Sequence, residues 1–256
     1  MSEINALKQT GGDAVLKSEL HSPLPAMSQI PSFRSGLFPS LLNLAVRLAP
    51  TGRKYFHQAI LFRRQYDYIE DPTVPEGLHW LWAGKDEIEY MNGHPEAVAR
   101  GAYTRRAARG DMCLCLKRGD HIIAYQWMAR QSACLYCGFG PRYQLLFFPL
   151  RSDQVFMYDS FTYSNWRRQG YGKVIRKLIY KAIQEQGVRE SFALVALDNL
   201  PAMAITLALG DEPWCMTYGL RIRDWSRMIL GPRPDPSLDR WIEAFKNRVM
   251  TTVRRE

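Results

Sequence analysis

Residues 158–173 read Tyr-Asp-Ser-Phe-Thr-Tyr-Ser-Asn-Trp-Arg-Arg-Gln-Gly-Tyr-Gly-Lys, an order of residue types that could hold a phosphate group. A strand-like run passes through a short loop with glycines at 170 and 172 and goes straight into a segment of helical apolar spacing. Gly170 and Gly172 leave the backbone bare where an anion must approach. The first-turn N–H groups of a helix have no intrahelical acceptor, and the helix dipole favours negative charge there. Arg167, Arg168 and Lys173 add mobile positive charge. Two common phosphate motifs do not fit, since Ile175 breaks Gly-x-Gly-x-x-Gly and no Gly-Lys-Ser/Thr is present. An ordinary strand-to-helix turn tightened by glycine is the alternative reading.

The elements that must position this loop follow from periodicity and turn residues. Strands are expected at 78–83, 111–117, 121–129, 143–148, 154–163, 191–197, 214–222 and 225–230, with Arg118-Gly119-Asp120 closing a hairpin. Helices are expected from Asp86 to Gly93, from Pro95 to about Arg109, over 173–186, over 201–209, and over 236–253. Residues 131–142 read as an irregular insertion. The expected order is strand, two helices, hairpin, strand, helix, strand, helix, strands, hence an α/β (α+β) domain. Upstream, residues 1–35 read as a flexible arm. Leu41, Leu42, Leu44, Ala45, Val46, Leu48, Phe56, Ile60 and Leu61 have helical spacing broken at Pro50-Thr-Gly52, so a helical extension is expected over 36–75. The domain proper then spans 76–231 and a C-terminal helix 232–256.

Arg167-x-x-Gly170-x-Gly172 resembles the Arg/Gln-x-x-Gly-x-Gly/Ala signature of the GNAT superfamily of acyl-CoA-dependent N-acyltransferases, which follows the family's fourth strand and opens its third helix. Asp198-Asn199-Leu-Pro-Ala202, ahead of an apolar helix stopping at Gly210, resembles the family's later segment, and the resemblance covers roughly residues 77–231. It implies a mixed, mostly antiparallel twisted sheet with helices on both faces. It also implies acetyl-CoA or another acyl-CoA as co-substrate and an amine acceptor, either a small molecule or a protein. The backbone of Phe161, Thr162 and Tyr163 would pair with the pantetheine arm in the splay between the fourth and fifth strands. The amides of Arg168, Gln169, Gly170, Tyr171, Gly172 and Lys173, with Arg167 beside them, would hold the pyrophosphate. Asn199 would touch the pantetheine or order the splay, unless it only caps a helix.

The chain departs from the family at one position. Many members place a thiolate-reprotonating Tyr seven residues after the Asn, where this chain has Thr206, so Tyr218 or Tyr163 would have to serve or the thiolate would leave through water. Asp159 is the carboxylate of the fourth strand. It is a candidate base or amine-binding group if it faces the cleft, and a strand residue paired with an arginine if it does not.

Other constellations carry less. Cys134-Leu-Tyr-Cys137 with Cys113 and Cys115 could offer four thiolates, but without the usual paired-knuckle pattern, and no metal is expected. His21, His57, His79, His94 and His121 show no ligand spacing. Trp80, Trp82, Tyr125, Trp127, Phe147 and Phe148 read as core rather than pocket lining. A 46% hydrophobic, 12% aromatic chain of 256 residues can bury a full core, which excludes collagen-like and broadly disordered classes. The net charge of +9 suits an anionic partner such as nucleotide phosphates or an acyl carrier protein. Its basic residues are scattered, which argues against specific nucleic-acid binding. Residues 37–65, basic and Leu-rich, leave room for peripheral membrane contact, and a homodimer is also allowed. The odd cysteine count and the lack of a cleavable leader give an expectation of cytoplasmic location.

Overall fold

The structure is a computed structural model and describes residues 56–66, 69, 71–96, 101–130, 133–135, 146–197, 199–222, 225–231, 238–240 and 242–246. An eight-stranded sheet is its centre. In chain order the elements are β1 (Phe56–Gln65), β2 (His79–Trp82), α1 (Lys85–Gly93), α2 (Ala102–Ala108), β3 (Met112–Arg118) and β4 (His121–Ala129). A separate two-stranded sheet follows, from β5 (Ala133–Leu135) and β6 (Leu146–Phe148). Then come β7 (Gln154–Thr162), α3 (Tyr171–Glu185), β8 (Glu190–Ala196), α4 (Leu200–Ala208), β9 (Glu212–Ile222) and β10 (Trp225–Leu230). The main sheet runs β10-β9-β1-β8-β7-β4-β3-β2, and β7–β8 is its parallel neighbour pair. Among the described residues no helix is long and apolar enough to cross a membrane.

Strand alternation gives the sheet two different faces. On β3, Leu114 and Leu116 join Ile175, Leu178, Ile179 and Ile183 of α3, while Cys113 and Cys115 join Ile88, Met91 and Tyr103 of α1 and α2 on the opposite side. Val195 of β8 lies with Met203 of α4 and with Leu238, Ile242 and Phe245 of the C-terminal helical residues. Helices therefore cover both faces. α3 takes its start at Gly170, whose φ of 79° is left-handed, and is stopped by Gly187 at φ 81°.

The largest correction concerns residues 56–65, expected to be helical and found as a strand paired on both sides. β1 runs antiparallel to β8 from Ala59↔Ala196 to Gln65↔Glu190 and to β9 from Phe56↔Leu220 to Arg63↔Glu212. Ile60 and Phe62 face α4 and the C-terminal helical residues, Leu61 faces the other side, and none is more than 1% exposed. A strand buried on both faces reads as an unbroken apolar run, and a short run of that kind also satisfies helical spacing.

Other corrections are smaller. α2 begins at Ala102 rather than Pro95, because Gly101 sits at φ 71°, outside helical backbone. The insertion holds strand β5, paired with β6 from Ala133↔Phe148 to Leu135↔Leu146. The expected arm at 1–35, the helix before Pro50, Asp198, Cys137 and the ends of the C-terminal helix lie outside the described residues.

Candidate active site

β7 and β8 are hydrogen-bonded in register only from Gln154↔Glu190 to Met157↔Ala193, after which they part. Beyond that point β7 keeps β4 on one side as far as Ala124↔Thr162, and its other edge opens into a gap. Tyr163 N–H donates to Ile123 O at 3.1 Å, which fixes the phase of the ladder. The peptide groups of Ser160 and Thr162 consequently face the gap, whereas those of Phe161 and Tyr163 face β4. This corrects the expectation that all three peptides from Phe161 to Tyr163 are open to a ligand. Thr162 O already accepts from Arg167 Nε at 2.9 Å, leaving the Thr162 N–H and the Ser160 peptide for pairing.

Where the gap ends, the chain turns through Ser164–Trp166 into α3. Arg168 at φ 63° and Gly170 at φ 79° are both left-handed, the alternation that gathers successive N–H groups into an anion-binding concavity. Among the described residues, the amides of Arg168 through Gly172 donate to no carbonyl, and the ladder of α3 begins with Lys173 N–H on Gly170 O at 2.9 Å. A Cβ at Gly172 would lie 3.2 Å from Ile205 Cδ1 of α4 and 3.7 Å from Thr162 Oγ1, so its bareness lets the loop, α4 and the end of β7 meet closely. Any side chain at Gly170 forces an L-residue into left-handed backbone. Gly170→Ala should cost about 1 kcal/mol, or roughly 2–4 °C in Tm by calorimetry; an unchanged or higher Tm would contradict that conformation.

Arg167 is not free to serve a phosphate alone. Besides Thr162 O it reaches Glu96 at 3.4 Å, and its guanidinium lies 5.2 Å over the Phe161 ring. Glu96 also accepts from Ser164 N–H and from Ser164 Oγ at 2.7 Å, bonds that hold its carboxyl below the usual carboxylate range. The connection after α1 is thereby tied to the loop. Arg118 braces the other flank, 5.1 Å over Trp166 and 3.4 Å from the Tyr171 hydroxyl.

Asp159 is the extra residue of a β-bulge. The β4–β7 register steps between Gln126↔Ser160 and Trp127↔Tyr158, and Asp159, left without a partner, has φ 48°. Fully buried Gln126 holds the bulge by donating from Nε2 to Tyr158 O at 2.8 Å and to Trp127 O at 3.0 Å. The Asp159 carboxylate is ion-paired with Arg106 of α2, whose guanidinium is 5.1–5.5 Å from the rings of Tyr103, Trp127 and Tyr158. Of its two sequence readings, the geometry supports the arginine-paired strand residue.

Tyr163 is 4% exposed, with its ring 4.0 Å from that of His94. Burial first, then the neighbouring Tyr103 and Tyr90, raises its pKa, which keeps it protonated and makes it a weaker proton donor. Asn199 is an exposed N-cap of α4, accepting from Ala202 N–H at 3.3 Å. Thr206 is fully buried and donates to Ala202 O at 2.8 Å. Tyr218 lies on β9 opposite Gln58 and Ile229, with its side chain outside the described residues. Cys113, Cys115 and Cys215 are buried.

Sequence reading missed Arg106, Gln126 and Glu96. A lone arginine on a helix or glutamine on an apolar strand carries no motif. Only the fold brings these residues to the bulge and the loop.

No protein-family model and no curated protein matches the chain. Solved structures that it resembles include a Drosophila protein (13% identity, TM-score 0.47, 82% of this chain and 66% of that one). A GCN5-related N-acetyltransferase from Sphaerobacter thermophilus matches at 13% identity and TM-score 0.45, over 69% of this chain and 54% of that one. A tandem GNAT protein from the clavulanic acid biosynthesis pathway matches at 17% identity and TM-score 0.47, over 75% and 59%. The chain thus spans less than two thirds of each of these structures. By its own element order the chain has the architecture expected from its motifs, a mixed, mostly antiparallel sheet with helices on both faces, a splayed parallel junction and a glycine loop beside it.

Proposed function

We propose that the chain is an acyl-CoA-dependent N-acyltransferase that moves an acyl group, most simply acetyl, onto an amine. The observation that carries this reading is the continuity between the gap beside β7 and the open amides of Arg168 through Gly172. An extended amide-bearing arm that ends in a diphosphate matches that shape and chemistry. Ser160 and the Thr162 N–H would pair with the arm, and the loop amides with Arg168 and Lys173 would hold the diphosphate.

Direct transfer then needs a neutral amine near the thioester, donors for the developing oxyanion, and an acid for the departing thiolate. The bulge at Asp159 breaks the ladder on the stretch of β7 next to the arm, leaving backbone N–H groups there as candidate oxyanion donors. Asp159, neutralised by Arg106, orients the bulge and the acceptor side in this reading, and water takes the amine proton. In this reading the departing thiolate takes its proton from water.

A second reading has one observation behind it: the position where a proton donor is expected holds the buried Thr206, so the chain could bind the cofactor without turning it over. Release of free thiol from acetyl-CoA across a panel of amino sugars, amino acids, polyamines and peptides separates the two. Acceptor-dependent release establishes the transferase. Saturable cofactor binding with no release from any acceptor would leave the non-catalytic reading.

A further inference from the structure

Beside the first two turns of α3 lies a pocket of about 280 Å³, lined by Arg64, Asp71, Lys173, Lys177, Tyr180 and Leu209 among others. Its charges are unevenly matched. Arg64, from the end of β1, donates to Leu209 O and, at 3.1 Å, to Asp211, and its guanidinium lies 4.5 Å over the Tyr180 ring. Those contacts neutralise the last carbonyl of α4, the feature here least favourable to an anion. Arg64 Nε remains buried without an acceptor. Asp71 is matched by Lys181 at 2.7 Å. Lys173 and Lys177, four residues apart on one face of α3, make no ion pair among the described residues, and at that spacing like charges repel. Among the described residues, the pocket therefore holds positive charge in excess.

Position and size narrow the ligand. Lys173 adjoins the loop that the proposed function assigns to a diphosphate, and Lys177 lies about 9 Å along the helix from Tyr171 at 1.5 Å per residue. A volume slightly below the usual ~300–1,000 Å³ for a whole small ligand suits a terminal group rather than a complete nucleotide. The geometry points to a subsite for the ribose 3′-phosphate of coenzyme A, held by Lys173 and Lys177 with Arg64 behind them. It rests on the acyl-CoA reading and sharpens it, because a carrier-protein phosphopantetheine arm has no such phosphate. Arg64 makes the subsite depend on the strand β1.

Calorimetric titration of the full chain with coenzyme A and with 3′-dephospho-coenzyme A tests this, each against wild type and the exposed-site variant Lys177→Gln. Charge-assisted contacts to a phosphate predict about tenfold tighter binding of coenzyme A by wild type. Lys177→Gln should shrink that ratio severalfold, and raised salt should shrink it as well. Equal affinity for the two ligands, or a ratio that Lys177→Gln leaves unchanged, would overturn the subsite while leaving the acyl-CoA reading intact. Failure of both ligands to bind a folded wild type would overturn that reading and the subsite with it.

Discussion

A chain beginning at residue 67 is expected not to fold. β1 is the strand that joins β8 to β9, so without it β9 and β10 lose their connection to the rest of the sheet. Full burial of Ile60, Leu61 and Phe62 contributes about 1.5–3 kcal/mol each, or ~5–9 kcal/mol together. The net stability of a domain is only about 5–15 kcal/mol. The same deletion strips Asp211 of Arg64, leaving a carboxylate that is 2% exposed with Tyr180 as its remaining partner. Circular dichroism with thermal unfolding is the check. Loss of a cooperative transition is the expected result, and a truncated chain that melts cooperatively near the full-length Tm would refute the central placement of β1. Leu61→Asp should act in the same direction by burying a charge in the core on one face of the sheet.

The second large effect is expected at the loop. Gly170→Asp with Gly172→Asp puts two carboxylates against the open amides of Arg168 through Gly172. Two unit charges 4 Å apart interact by about 4 kcal/mol at an effective dielectric of 20, and screening at this exposed site lowers that. Even one such repulsion at ~3 kcal/mol weakens a diphosphate ligand about 100-fold. The fold should survive. Aspartate is among the residues most tolerant of left-handed backbone, as at Gly170, and at Gly172 the nearest obstacle is the mobile end of Ile205.

Much of this arrangement was legible in the sequence because local chemistry set it. The two glycines, the basic residues around them and the apolar period of α3 lie within one short segment, and each points to the same strand-loop-helix unit. The hairpin at Arg118-Gly119-Asp120 and the cap at Asn199 are equally local. β1 was not legible, since Ala59–Phe62 is a four-residue apolar run whose type depends on having neighbours on both sides. Nor was the bulge, because a left-handed aspartate is dictated by the β4 register and by Gln126, which lies more than thirty positions away in the chain. Arg106 and Asp159 are separated by 53 residues, and nothing in either segment announces the other.

Isothermal titration of acetyl-CoA into the wild-type chain and into the Gly170→Asp, Gly172→Asp variant, both shown to be folded by circular dichroism, tests the central claim most directly. Saturable binding to wild type that the variant weakens by about 100-fold is predicted. No binding to folded wild type, or equal binding to both, would contradict the assignment of the loop at Arg168 through Lys173 to the cofactor.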